Sequence, residues 1–310
     1  MRVVILGGSG LVGRGLASEL ARDGHSVVVV CRHPEGVPPL GRGIEILKWD
    51  GRTAARWGDR VDGADALVNL AGETLGGVNL AQILFQRWTR TKKQRILESR
   101  VLAGQAVVEA VRAARAKPSV LLQMSAVGFY GPRGAEEIDE GTPPGTDFLA
   151  DVCVQWEQGT RPVEQLGVRR VVVRTGLVLG SQAELFRVIL LPFRLFVGGP
   201  LGSGRQGFPW VHVEDHRRAL RFLIENPQAS GLYNLTAPGS VSNAEVGRAI
   251  ARVLHRPYGF PTPAILLRLL LGEKATLVLE GQRVAPRRLL EAGFTFRFPT
   301  IDSALADLLP

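Results

Sequence analysis

The segment Gly7-Gly8-Ser9-Gly10-Leu11-Val12-Gly13 follows directly on an apolar run, Val3-Val4-Ile5-Leu6. That order restricts the possible folds more than any other feature of the chain. A buried strand ending at Leu6, a tight turn and a helix opening near Gly10 make the first unit of a dinucleotide-binding sheet. Gly7 permits the turn, Gly10 lets a pyrophosphate approach the backbone, and Gly13 lets helix and strand pack closely. Leu11 and Val12 lie in the first helical turn, where free N–H groups and the helix dipole favour phosphate, and they are counted with the cofactor-binding residues. A second strand, Ser26 to Val30, completes the unit.

The end of that second strand selects the nucleotide. NAD enzymes usually carry Asp or Glu there to hold the ribose 2′-OH. This chain reads Cys31-Arg32-His33-Pro34. The Arg32 guanidinium suits a 2′-phosphate, so NADP(H) is expected over NAD(H). Asp50, after a short strand from Ile44 to Leu47, is expected to border the adenine.

Strands and helices alternate through the first half of the chain, the pattern of a parallel sheet covered on both faces. Asp65 to Gly72 reads as a buried strand ending in a small-residue loop, and Leu70, Ala71 and Gly72 should run beside the cofactor. A long helix is expected from about Ala81 to Ala116. Ser119 to Met124 forms the next strand and delivers Ser125. Asp147 can cap a helix running to Leu166, and Arg170 to Arg174 is a sixth strand. Beyond Thr175 glycine and proline cluster, notably from Gly198 to Gly204, and the strands shorten. A helix follows Asp215, Leu232 to Leu235 is a short strand, and from Ser242 the pattern is helical. The expected fold is therefore α/β: a Rossmann-type doubly wound parallel sheet with a small, mainly helical C-terminal substrate lobe. Residues 1–175 would hold the nucleotide core and 176–241 the substrate-side loops, interleaved with its end. Residues 242–310 would make the lobe.

Composition narrows the partners. The 310 residues are 45% hydrophobic and 22% charged, an ordinary globular balance. No run is long enough to cross a bilayer, and a leader is rejected because its removal would delete the first strand, so no membrane partner is expected. Two cysteines, Cys31 and Cys153, make no disulfide framework and fit a reducing, cytoplasmic setting. The net charge of +9 comes from arginines spread along the chain. With no zinc spacing or aromatic–basic interleaving beside them, neither nucleic acid nor a metal is expected. The acidic stretch Glu136 to Glu140 reads as a solvated loop.

Many ordered stretches carry a resemblance over nearly the whole chain. They include Gly7 to Gly13, Asn69 to Glu73, Trp88 through Lys93 to Arg100, Ser125 to Gly131, and Trp156-Glu157. Arg174 to Gly180, Pro192-Phe193, Trp210 to Asp215, Asn234 to Pro238 and Glu280 to Val284 continue it. With these the chain resembles the extended short-chain dehydrogenase/reductases. Within them it is most similar to an epimerase-like subfamily of NADPH-dependent oxidoreductases that ends in a short C-terminal module of unknown role.

The resemblance implies a serine working with a Tyr-x-x-x-Lys pair, in which tyrosine moves the proton and lysine lowers its pKa. Ser125 matches the serine. Phe148 stands where the tyrosine would be and Val152 where the lysine would be. Ser125 is expected to bind the reacting oxygen, with Tyr130 a second candidate for the proton. Glu73 follows the loop beside the cofactor. Lys93 and Arg100, seven residues apart and so on one helix face, would attract a carboxylate or phosphate. Pro192, Trp210 and His212 would line the substrate side. The expected function is an NADP(H)-binding oxidoreductase acting on a small polar carbonyl or alcohol, its small-molecule substrate. The alternative is an NADPH-binding sensor or scaffold without turnover.

Overall fold

The computed structural model describes residues 1–77, 79–134 and 136–309. Its first half runs β1 (Arg2–Leu6), α1 (Leu11–Arg22), β2 (Ser26–Cys31), β3 (Ile44–Lys48), β4 (Ala66–Asn69), α2 (Leu80–Phe85), α3 (Arg90–Ala113), β5 (Val120–Ala126), β6 (Glu137–Ile138) and α4 (Phe148–Gly159). The second half runs β7 (Arg169–Thr175), β8 (Leu177–Leu179), α5 (Glu184–Arg194), β9 (Trp210–His212), α6 (Val213–Glu225), β10 (Gly231–Leu235), α7 (Asn243–Leu254), α8 (Ala264–Leu271), α9 (Thr276–Leu279), β11 (Arg283–Val284), α10 (Arg287–Glu291) and α11 (Ile301–Leu308). Among the described residues no helix is long and apolar enough to cross a membrane.

Seven strands form one parallel sheet in the order β3-β2-β1-β4-β5-β7-β10. Its order runs outward in both directions from β1, which is the doubly wound arrangement expected. The β1 run is apolar throughout because both of its faces are covered. Val3 and Ile5 pack with Leu16 and Leu20 of α1 and Leu220 of α6. Val4 and Leu6 pack with Val107 and Val111 of α3 on the other face. The last sheet strand, β10, comes after the Gly198–Gly204 loop in sequence, so the nucleotide sheet is finished by a late segment.

Two helices differ from the sequence reading. The long helix expected over 81–116 is two, α2 and α3, separated by Gln86 to Thr89. Thr89 starts the second by accepting from the Lys92 N–H at 3.2 Å, and Trp88 turns inward to donate to the Leu75 carbonyl at 2.9 Å. The helix capped by Asp147, whose side chain accepts from the Ala150 N–H at 2.8 Å, ends at Gly159 instead of Leu166. Gly159 packs on Gly104 of α3, Pro162 cannot donate the next helical hydrogen bond, and a 3₁₀ turn takes over at Arg161.

His216 of α6 is fully buried, and neither ring nitrogen has a hydrogen-bond partner among the described residues. Burial, aided by the Arg217 charge, pushes its pKa down to about 3. The folded protein thus keeps the imidazole neutral while the unfolded chain protonates near 6.5. The corresponding stability is fully present above that pH and is lost as pH falls toward 3, by about 1.4 kcal/mol per unit. Urea unfolding at pH 7 and 5 should show this loss in the native chain and much less of it in His216→Phe. An undiminished pH dependence in the variant would assign the effect to other groups.

Candidate functional site

All sheet strands point their carboxyl ends to one edge, where the 7–13 turn and the 70–73 loop meet. Gly7 has φ +73°, and a Cβ there would stand 3.0 Å from the backbone of Leu70 and Ala71. The missing side chain therefore lets the two loops touch. A Cβ on Gly13 would lie 2.6 Å from the Gly8 Cα, which explains the third glycine by close packing. Gly10 is different. Its φ of −72° suits any residue, and a Cβ would meet only the Gly7 carbonyl oxygen at 3.5 Å. Nothing in the protein's own packing requires glycine there. Gly10 is also the N-cap of α1 and makes no side-chain cap, so the first-turn N–H groups of Leu11, Val12 and Gly13 lack helical acceptors. The cradle has the space and the donors a pyrophosphate needs.

Arg32 leaves the end of β2 with its side chain 56% exposed, and its Nη1 lies 3.7 Å from Glu73 Oε2. It is the exposed cation at the rim beside the 70–73 loop. Asp50 lies on the same rim, but its carboxylate is occupied. It accepts from the Arg52 N–H at 2.8 Å, the Thr53 N–H at 2.9 Å and the Thr53 hydroxyl at 2.7 Å, closing its own turn.

Glu73 is the charged hub of the neighbouring loop. Lys92, almost fully buried, donates to its Oε1 at 2.8 Å. Burial pushes the Glu73 carboxyl up, but Lys92 and Arg32 outweigh it and leave the group below its ordinary range. Arg100 donates to the carbonyls of Glu73 at 3.1 Å and Ile96 at 2.8 Å, with its guanidinium over the Trp156 ring. Burial lowers Arg100 to about 10. Lys93 and Arg100 were expected to attract an anion together, but the structure divides them. Arg100 is enclosed and braces the loop, while Lys93 remains at the rim, its Nζ 4.3 Å from the Phe148 ring centroid.

Ser125 and Tyr130 were expected at the ligand, yet both are completely buried. The Ser125 hydroxyl donates to Glu157 Oε1 at 2.6 Å. Glu157 in turn receives Nε and Nη2 of Arg174 at 2.8 and 2.9 Å. Arg174 Nη1 donates to the Tyr130 hydroxyl at 3.1 Å, which donates to Asn234 Oδ1 at 2.6 Å. This chain of bonds ties β5, α4, β7 and β10 together inside the fold. Burial pushes the Tyr130 hydroxyl up, so it holds its proton more tightly than an ordinary phenol. The strand-end argument failed for Ser125 because residue 125 faces α4, whereas the next residue, Ala126, is the half-exposed one at the strand end. Glu140 corrects the reading of its loop as solvated: it is buried and accepts from the Asn234 N–H at 2.9 Å.

The substrate-side residues also separate. Pro192 is half-buried within α5. Trp210 is buried in a cluster apart from the sheet faces, with Phe186, Phe193 and Ile250. His212 caps α6 by accepting from the Glu214 N–H at 3.2 Å, and its Nε2 lies 3.3 Å from Asp307 Oδ2 off the hydrogen-bond line. Burial lowers its pKa, which favours the neutral ring. It serves as scaffold between α6 and α11. Sequence reading assigned no role to Glu157, Arg174, Glu273 or Lys274. An arginine in a strand buried on both faces was a usable signal, since such a charge requires a partner.

Two family models match the chain: the NAD dependent epimerase/dehydratase family over residues 3–236 and a domain of unknown function, DUF1731, over 262–308. The chain is 34% identical over 310 residues to the epimerase family protein YfhF of Bacillus subtilis, covering 100% of this chain and 98% of that one. It is 37% identical to the epimerase family protein SH2119 of Staphylococcus haemolyticus, over 99% and 98% of the two chains. Among solved structures it is similar to the human epimerase family protein SDR39U1 (isoform 2), crystallised with NADPH. That match has a TM-score of 0.88 and 35% identity over 100% of this chain and 99% of that one.

Proposed function

Because the chain belongs to the NAD-dependent epimerase/dehydratase family, we propose that it holds NADP(H) between the 7–13 turn and the 70–73 loop and works as an oxidoreductase on a small polar carbonyl or alcohol. Gly10 carries this reading, since the protein leaves space there beside an uncapped helix N-terminus. Arg32 supports the phosphorylated nucleotide, as does the NADPH named with the human relative. When bound, the nicotinamide supplies or accepts the hydride. The protein's part is to bind and orient. The α1 N-terminus receives the pyrophosphate, and Arg32 exchanges Glu73 for the 2′-phosphate. The buried Ser125–Glu157–Arg174–Tyr130 chain fixes the ends of β5 and β7 against α4. With those two hydroxyls committed to the buried chain, the substrate oxygen exchanges its proton with water.

Arg32→Ala tests the cofactor assignment. The loss of charge-assisted bonds to a phosphate should weaken NADPH about 30-fold while NADH stays within about twofold. Both constants can be read by titrating nucleotide fluorescence on one preparation. Equal losses for the two nucleotides would remove Arg32 from the phosphate site. The sensor reading keeps one observation in its favour: Phe148 and Val152 replace both members of the proton relay that the resemblance implies. Bound NADPH that is oxidised by no small carbonyl compound in single-turnover trials would favour it.

A further inference from the structure

The C-terminal module lies against α2 and the start of α3. Its short turn Gly272–Ala275 lies against α2, where the buried Lys274 ammonium shares its three N–H donors among the carbonyls of Gly76, Gln82, Ile83 and Gln86. Four acceptors fix Lys274, and with it the backbone of the residue before it. That residue, Glu273, accepts from Lys93 Nζ through Oε1 at 2.7 Å. On its other side the same ammonium faces the Phe148 ring, at the place where the resemblance puts the missing tyrosine. The Lys93 side chain is 29% exposed and that of Glu273 47%. The cation is thus partly desolvated, and its carboxylate partner is free to swing toward solvent. The segment 74–97 around Lys93 contains no Asp or Glu, so no acidic residue near it in sequence competes for the ammonium.

We infer that Lys93 receives the anionic end of the substrate and that Glu273 is its resting partner, displaced when a substrate carboxylate or phosphate arrives. This deepens the oxidoreductase reading and rests on it. The substrate class narrows to carbonyl or alcohol compounds bearing such a group, with the apolar Phe148 face beside the reacting part. The module of unknown function thereby supplies one side chain to the site and holds it in register through the next.

Lysine acetylation of the full chain, with and without saturating NADPH, tests the exchange. The chain has five lysines, and exposed Lys48 and Lys117 serve as internal references. Mass spectrometry should show Lys93 labelling about fivefold faster in Glu273→Gln than in the native chain, the scale of losing one rim ion pair. Glu273→Asp should restore slow labelling. Inorganic phosphate or acetate should protect Lys93 at about fivefold lower concentration in Glu273→Gln. Protection by only one of them would identify the head group. The inference is overturned if neither anion protects Lys93, or if Glu273→Gln changes neither labelling nor protection. NADPH fluorescence on the same samples separates the two readings: failure to bind nucleotide would sink the cofactor assignment, while the Lys93 labelling without nucleotide still decides this one.

Discussion

An Arg174→Met chain is expected to lose about 3–5 kcal/mol of stability, the cost of leaving a buried charge without its partner. Arg174 sits inside β7 with 2% of its surface exposed, forks onto both oxygens of Glu157 and lies over the Phe129 ring. Without it, Glu157 would keep only the Ser125 hydroxyl for a carboxylate that remains enclosed. Replacing both members, Glu157→Leu with Arg174→Met, should cost less than the single change, because no orphan charge then remains. Urea unfolding of the three chains checks both statements. A single-variant loss below about 1 kcal/mol would mean that water reaches the network and that the pair behaves like a surface one.

The second large effect separates binding from folding. Gly10→Ala should leave stability within about 0.5 kcal/mol, since its backbone is ordinary and its Cβ would make only an ordinary contact with the Gly7 carbonyl. NADPH affinity should nevertheless fall about 100-fold, because the methyl takes the space through which the pyrophosphate reaches the helix N–H groups. Gly13→Ala makes the contrast. Its Cβ would push on the Gly8 backbone, so both stability and binding should drop. Calorimetric titration with NADPH beside thermal unfolding reads the pair. Full affinity in Gly10→Ala would move the nucleotide away from the turn.

What could be read in advance follows a physical division. The sheet was legible because parallel strands covered on both faces appear as continuous apolar runs, as in Val3 to Leu6 and Val27 to Val30. The glycine turn and the Asp147 cap were legible because each is a local backbone requirement met within a few residues. The division of α2 from α3 was not, since Trp88 leaves the helical path to reach Leu75, a contact made only in the fold. Ser125 failed for a related reason: strand alternation decides which of two adjacent residues meets the cleft, and a shift of one turns the side chain away. Glu273 and Lys93 are 180 residues apart, and neither carries a local mark of the other.

The tail's contacts also bear on how the protein is made. Beyond the Lys274 clasp, β11 pairs with β6, the Thr236 hydroxyl donates to the Val284 carbonyl, and Arg288 donates to the Leu232 carbonyl on the sheet's last strand. A chain still on the ribosome has none of these partners until synthesis has passed through residues 262–308. Until then the carbonyls around α2 and the outer edge of β10 stay wet. The nucleotide fold, whose glycine turn precedes them in the chain, is therefore sealed by residues made about 270 positions later.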